Sequence, residues 1–69
     1  MKEFIEECKE TLRECKKGGI PVKVNGVMFS QDFEFTFDDK TEILFIRFCV
    51  AGISGIVASI GYDEIKSFD

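Results

Sequence analysis

Five carboxylates lie close together in the middle of the chain: Asp32, Glu34, Asp38, Asp39 and Glu42. Paired carboxylates can perform acid/base chemistry or hold a divalent cation. Their spacing does not match a calcium-binding loop, and the alternating Phe residues around them predict that they face solvent on a hairpin and its turn. They either keep this face solvated or form a partner-binding surface that complements a basic groove.

The chain contains no His. The Ser-His-Asp and Cys-His nucleophile systems, His-ligated metals and imidazole acid/base catalysis therefore cannot be assembled. Carboxylates and thiols are the chemical groups that remain. We predict that the protein is not an enzyme and that it uses neither a metal nor another cofactor.

The three Cys residues are Cys8, Cys15 and Cys49. An odd number without a C-x-x-C pair is typical of neither a disulfide framework nor a zinc site. On a helix, Cys8 and Cys15 would lie about 10.5 Å apart along the axis, which is too far for a disulfide. We predict small buried thiols and a reducing, cytoplasmic setting.

The chain has 69 residues and a formal net charge of −4. A chain of this length forms one domain, here predicted to cover residues 1–69. Residues 1–17 carry five basic and five acidic side chains, whereas residues 18–69 carry four basic and eight acidic ones. Nucleic-acid binders usually present a basic stripe to the phosphates, so this distribution disfavours direct phosphate binding.

Apolar side chains near the N-terminus recur with helical spacing, at Phe4, Ile5, Cys8, Leu12 and Cys15. Apart from Thr11, the positions between them are charged. This pattern predicts an amphipathic helix over residues 2–17. Gly18-Gly19 can adopt a positive φ and is expected to end the helix.

Residues 20–69 are predicted to form short strands separated by turns. Asn25-Gly26 favours a two-residue hairpin turn, and residues 30–32 favour a bulge or bend in the second strand. A third strand is expected over residues 42–50 and a last one over residues 66–68, whereas residues 51–61 fit either a strand after a bend or a short helix. The predicted fold class is α+β, with an N-terminal amphipathic helix followed by a small five-stranded antiparallel barrel or a strongly curved sheet.

The strand over residues 42–50 is apolar on both faces. Leu44, Ile46, Phe48 and Val50 share one face, and the other face holds Ile43, Phe45, Arg47 and Cys49. A single helix covers only one face, so a barrel interior or a second copy of the chain must cover the other. We predict an oligomer interface at Ile43, Phe45, Arg47 and Cys49.

Residues 43–62 have the length of a membrane span and contain one charge, Arg47. The Gly residues in their second half interrupt the run, and the acidic flanks lack the Lys/Arg asymmetry that orients a span. We therefore expect the chain not to associate with a membrane.

The order of elements resembles the Sm-like small barrel. The shared features are a helix, five short antiparallel strands, a hairpin with Asn25-Gly26, Phe37-Asp38 ending the second strand, and a one-turn connection at residues 62–65. The resemblance covers nearly the whole chain and implies a homo-oligomeric ring that binds RNA or a nucleotide at subunit junctions. The chain departs from the family at the RNA-contacting motifs, because the Asn after Asp38, the Arg-Gly pair and the His after Tyr62 are missing. No RNA-contacting residue is therefore carried over.

Together these patterns predict a small, non-enzymatic, homo-oligomeric binding or regulatory module that acts through protein–protein contact. An acidic hairpin without catalytic residues is suited to inhibiting a partner with a basic groove. The alternative is an Sm-like ring that binds RNA or a nucleotide ligand.

Overall fold

The structure, a computed structural model, describes residues 2–69. Met1, the first residue of the predicted domain, lies outside the described residues. The elements are α1 (Lys2–Gly18), β1 (Val22–Val24), β2 (Val27–Phe29), β3 (Phe33–Asp38), β4 (Ile43–Val50), β5 (Ile53–Gly61) and a one-turn 3-10 helix (Tyr62–Glu64). This arrangement confirms the α+β class.

Helix α1 confirms the predicted amphipathic helix and extends one residue further. Its apolar stripe buries Ile5, Cys8 and Cys15. Gly19 ends the helix at φ 68°, and the amide of Ile20 donates to the Cys15 carbonyl at 2.8 Å. This bond and the left-handed Gly19 form the helix stop that a glycine permits without steric cost.

The strands form two antiparallel sheets, one of β1 and β2 and the other of β3, β4 and β5 in that order. Asn25 and Gly26 join β1 to β2 with φ of 52° and 84°, so the predicted hairpin turn is confirmed. Ala51 and Gly52 make a similar turn between β4 and β5, with φ of 51° and 82°.

Three expectations about the β segment are wrong in detail. The barrel alternative fails because residues 2–69 form two sheets without a closed barrel. The predicted second strand is broken at residues 30–32 into β2 and β3, which belong to different sheets. The last strand is reduced to a single bridge between Phe68 and Val24, because β1 offers only three residues for pairing. Of the two options for residues 51–61, the structure has a turn followed by strand β5.

The core lies between α1 and one face of the larger sheet. Leu44 and Ile46 of β4 are completely buried and belong to one apolar cluster with Ile5 and Cys8 of the helix. The Phe residues of β3 pack against this cluster. Burial of an aliphatic side chain contributes about 1.5–3 kcal/mol, so these contacts supply most of the stabilisation.

Among the described residues, no helix combines the length and the apolar character that a membrane crossing requires. Residues 43–62, the stretch whose hydropathy resembled a span, form strands β4 and β5 and the first residue of the 3-10 helix.

The side chain of Asn25 joins the first hairpin to the C-terminal segment. Its Oδ1 accepts the amides of Lys66 and Ser67 at 2.6 and 3.1 Å, and its Nδ2 donates to the Glu64 carbonyl at 3.1 Å. Beside it, Lys23 and Asp69 exchange both backbone hydrogen bonds. Asn25 therefore has two roles, one in the turn and one in holding residues 64–67.

These two roles can be separated by substitution. Asn25→Gly keeps the positive φ but removes the three side-chain hydrogen bonds, so we expect a loss of about 1–3 kcal/mol in the free energy of unfolding. Asn25→Asp keeps the accepting oxygen, so its free energy of unfolding should fall less. Urea denaturation measures both, and a glycine variant as stable as wild type would show that the side chain has only a turn role.

Candidate functional site

The structure divides the five predicted acidic residues into two groups. Asp38, Asp39 and Glu42 lie together at the turn from β3 to β4, whereas Asp32 and Glu34 lie at the other end of β3. Since β3 has six residues, the groups are about 17 Å apart along the strand. They do not form one continuous surface.

The β3–β4 turn is fixed by its own backbone. Asp38 Oδ1 accepts the amides of Lys40 and Thr41 at 3.0 and 3.4 Å, as an Asp at the start of a turn commonly does. Glu42 adopts φ 58°, and its carbonyl accepts the Tyr62 amide at 2.9 Å. The turn is thereby attached to the 3-10 helix.

A polar network links this turn to the helix. The buried Tyr62 hydroxyl donates to Asp39 Oδ1 at 2.8 Å. Lys9 Nζ donates to Asp39 Oδ2 at 2.9 Å and to Glu6 Oε2 at 3.1 Å. Asp39 therefore joins α1, the β3–β4 turn and the 3-10 helix through its two carboxylate oxygens.

The ionisation of these groups follows from their partners. Burial raises the pKa of Tyr62 well above its ordinary value, and the hydrogen bond to Asp39 raises it further. The hydrogen bond from Lys9, followed by that from Tyr62, lowers the pKa of Asp39 below its usual 3.8. Asp39, followed by Glu6, raises the pKa of Lys9. At neutral pH the network therefore contains a neutral phenol, a carboxylate and an ammonium group.

Further carboxylates surround the network and extend the predicted group. We call this surface the acidic end, and it consists of Glu6, Asp38, Asp39, Glu42, Asp63 and Glu64. An open cavity of about 580 Å³ lies here, lined by Lys2, Ile5, Glu6, Asp39, Glu42 and Tyr62. A second depression of about 330 Å³ adjoins it on the other side of Glu42 and Tyr62 and reaches Asp63.

Asp32 and Glu34 have different surroundings. The Asp32 carbonyl accepts the Cys49 amide at 3.0 Å, and Glu34 lies opposite Arg47 in the register of β3 and β4. Both acidic side chains are exposed. They belong to the open face of the sheet, away from the acidic end.

The predicted interface residues lie on this open face of β4. Ile43 and Phe45 are half-buried, whereas Arg47 and Cys49 are exposed. The expected burial of the Cys49 thiol is therefore wrong, because this residue lies on the face of the sheet that the helix does not cover. Thr36 and Ser59 lie beside Phe45 on the neighbouring strands. The apolar area exposed on this face is therefore smaller than the alternation of the strand alone predicts.

Sequence reasoning missed the roles of Lys9 and Tyr62. Lys9 follows Glu6 by three positions, which is the spacing of a helical ion pair, but its second partner, Asp39, lies 30 residues away. Tyr62 is the single Tyr and precedes Asp63 and Glu64. That acidic context was a visible signal for the position of the acidic end.

Residues 2–69 contain no group of three or more His, Cys, Asp or Glu side chains placed to hold a metal ion. The chain matches no protein-family model, and neither a curated protein nor a solved structure is significantly similar to it. The geometry of the acidic end is therefore the basis on which a function is proposed.

The lowered pKa of Asp39 predicts a pH-dependent contribution to stability. Because the folded state favours the carboxylate, the contribution is complete above pH 3.8 and is lost as the pH falls through the folded-state pKa. Asp39→Asn should therefore be less stable than wild type at about pH 7, and the difference should shrink as the pH falls below 3.8. Urea denaturation at several pH values measures it.

Glu10→Gln is the matched control, because Glu10 pairs with Arg13 at 3.0 Å on the exposed helix surface. An isolated ion pair on the surface contributes little to the free energy of unfolding. A difference between Asp39→Asn and wild type that does not change with pH would contradict the role of the Asp39 carboxylate.

Tyr62→Phe isolates the hydroxyl of the network. The ring keeps its contact with Phe37, whose centroid is 6.2 Å away, so we expect a loss of about 1 kcal/mol for one hydrogen bond. The pKa of Asp39 should rise towards its ordinary value, which an NMR titration of the carboxyl carbon measures. An unchanged Asp39 titration would show that Lys9 alone determines the ionisation of Asp39.

Proposed function

We propose that this protein is a small, non-enzymatic binding module of the cytoplasm that contacts a basic surface on another protein through the acidic end. The observation that carries the proposal is the convergence of Asp38, Asp39 and Glu42 with Asp63, Glu64 and Glu6 around Tyr62. A surface of this charge accelerates encounter with a basic partner and excludes acidic ones.

The charge balance at the acidic end supports this function. Six carboxylates lie near three lysines, Lys2, Lys9 and Lys40. Lys9 is already paired with Asp39 and Glu6. The surface therefore retains a net negative charge, and this end carries most of the formal charge of −4.

The acidic end is also held in one shape before any partner arrives. Asp38 fixes the β3–β4 turn, Glu64 Oε1 accepts the Gly61 amide at 3.2 Å, and Asp39 connects three elements. A preorganised surface loses little conformational entropy on binding. Such a surface suits an inhibitor that occupies a basic groove and excludes the groove's usual ligand.

The proposal includes self-association, for which the exposed apolar side chains provide a surface. RNA or nucleotide binding by an Sm-like ring stays a prediction. Several cations that could contact phosphate are engaged elsewhere: Arg13 pairs with Glu10, Lys9 pairs with Asp39, and Lys16 donates to backbone carbonyls. For this reason we favour a protein partner over a nucleic acid.

Charge reversal at the two least constrained acidic positions tests the proposal. Glu42 and Asp63 have exposed side chains, whereas Asp38, Asp39 and Glu64 accept hydrogen bonds that hold the fold. We expect Glu42→Lys with Asp63→Lys to weaken capture of basic proteins from a lysate, and the affinity for a purified captured protein to fall at least about tenfold. Affinity capture followed by calorimetry measures this.

The matched control is Glu7→Lys with Glu14→Lys on the exposed face of α1. Each double variant reverses two charges and brings the formal net charge from −4 to zero, so only the position of the change differs. Equal recovery of partners by both variants would overturn the assignment of binding to the acidic end.

A further inference from the structure

Strand β5 forms an open edge of the larger sheet. It pairs with β4 on one side, and within the described residues no strand pairs with its other side. Its nine residues make it the longest strand, and residues 53–57 are all exposed. An unpaired edge presents free amide and carbonyl groups to any strand that approaches it.

The opposite edge of the same sheet is protected. The Asp32 carbonyl points towards β4, where it accepts the Cys49 amide, so the next carbonyl, that of Phe33, points to the outer side of β3. Lys16 Nζ donates to the Phe33 carbonyl and to the Gln31 carbonyl. A lysine that occupies edge carbonyls prevents a further strand from pairing there.

The smaller sheet has a shorter free edge at which another strand could pair. On the second side of β1, Asp69 exchanges backbone hydrogen bonds with Lys23, and the Ser67 carbonyl accepts the amide of Asn25 directly after the strand. On the other side, β2 has three residues. The long edge of β5 therefore differs from the other edges of the described chain, because neither a lysine nor another segment covers it.

The composition of β5 favours a second copy of the same strand as its partner. Residues 48–62 contain no Asp, Glu, Lys or Arg, although 32% of the chain is charged. Two β5 strands can therefore approach without like charges facing each other. Most other surfaces of the chain carry charged side chains, and the net charge of −4 would make two such surfaces repel.

The apolar side chains of β5 support the same partner. Ile53, Ile56 and Val57 are 69%, 56% and 54% exposed and lie within five positions of one another. Val57 is the extra residue of a bulge, because Ile46 pairs with Ala58 and Arg47 pairs with Ile56. Ile53 lies opposite Val50 and Ile56 opposite Arg47, so their side chains project from opposite faces of the sheet. Pairing of two copies would place each of them beside a side chain of the second strand.

We propose that residues 53–59 of two copies pair antiparallel about a two-fold axis and join the two three-stranded sheets into one continuous six-stranded sheet. This inference rests on the self-association part of the proposed function and names the surface responsible for it. A two-fold axis relates identical strands in opposite directions, so the contact closes after two copies.

The antiparallel direction also separates the two acidic ends. Tyr62 directly follows β5, so each acidic end lies at the end of its own strand. With the axis near Ile56, the two Gly61 residues lie about 33 Å apart along the strands, which is several Debye lengths at physiological salt. The dimer then presents two acidic ends in opposite directions.

Sedimentation equilibrium of wild type and variants over roughly 5–500 µM, a range that reaches weak dimers, tests the edge contact. Ile56→Glu adds a carboxylate opposite Arg47 in its own sheet, so the fold can accept it, but it places like charges near the two-fold axis. Val57→Glu adds the same charge at the bulge, where β4 provides no pairing residue. Both variants should weaken dimerisation at least tenfold, which corresponds to about 1.4 kcal/mol.

Val27→Glu is the matched control. Val27 is 57% exposed and lies in β2, outside the proposed contact, and the substitution makes the same change in charge and polarity. Dimerisation of this variant should remain within about threefold of wild type. An equal loss in Val27→Glu would mean that β5 contacts the β1–β2 hairpin head to tail, and the two-fold pairing would be wrong.

Two measurements on wild type do not depend on how the variants fold. Hydrogen exchange at the amides of residues 53–59 should slow as concentration rises through the dimerisation range. The exposed thiol of Cys49, on the open face of β4, should keep the same rate of alkylation. Loss of Cys49 reactivity on association would assign the contact to the open face instead and would overturn the edge pairing while leaving self-association intact.

A folded wild-type monomer throughout the concentration range would overturn both the edge pairing and the self-association part of the proposed function. Binding of a basic partner through the acidic end would then still stand, because Glu42 and Asp63 lie outside the paired segment.

Discussion

One helix can cover only one face of the three-stranded sheet, and the rest of the molecule is arranged around this limit. Leu44 and Ile46 are fully buried because α1 packs Ile5 and Cys8 into the same cluster. Among the described residues, no second helix is present to cover the other face. The sheet therefore keeps an open face and an open edge, and its polar contacts are concentrated at the ends of the strands.

Those polar contacts join the same elements that meet in the apolar core. At one end, Asp39 connects the helix, the β3–β4 turn and the 3-10 helix through Lys9 and Tyr62. Near the first hairpin, Asn25 holds the C-terminal segment against β1. Small domains need such additional connections because their cores supply only a few kcal/mol of net stability. The contacts that stabilise the acidic end thus also hold it in the shape that the proposed partner would meet.

Local patterns predicted the elements but not their assembly. The apolar stripe from Phe4 to Cys15 predicted α1, and Asn25-Gly26 predicted the first hairpin, because each signal depends on neighbouring residues. The break at residues 30–32 and the separation of Asp32 and Glu34 from the acidic end depend on which sheet each strand joins. That choice is made by long-range contacts, such as the ring contact of Phe35 with Phe68 and the bonds from Lys16, which spacing along the chain does not reveal.

The hydrogen bonds of Asn25 also constrain the order of folding during synthesis. Their partners lie 39 to 42 residues further along the chain, so the first hairpin can turn early but stays without its anchor until residues 64–67 leave the ribosome. Contacts of such high sequence separation form late, because a long loop must close before they stabilise anything. The C-terminal anchor of the small sheet should accordingly form late, as should the contacts of α1 with β4, which are separated by a similar length of chain.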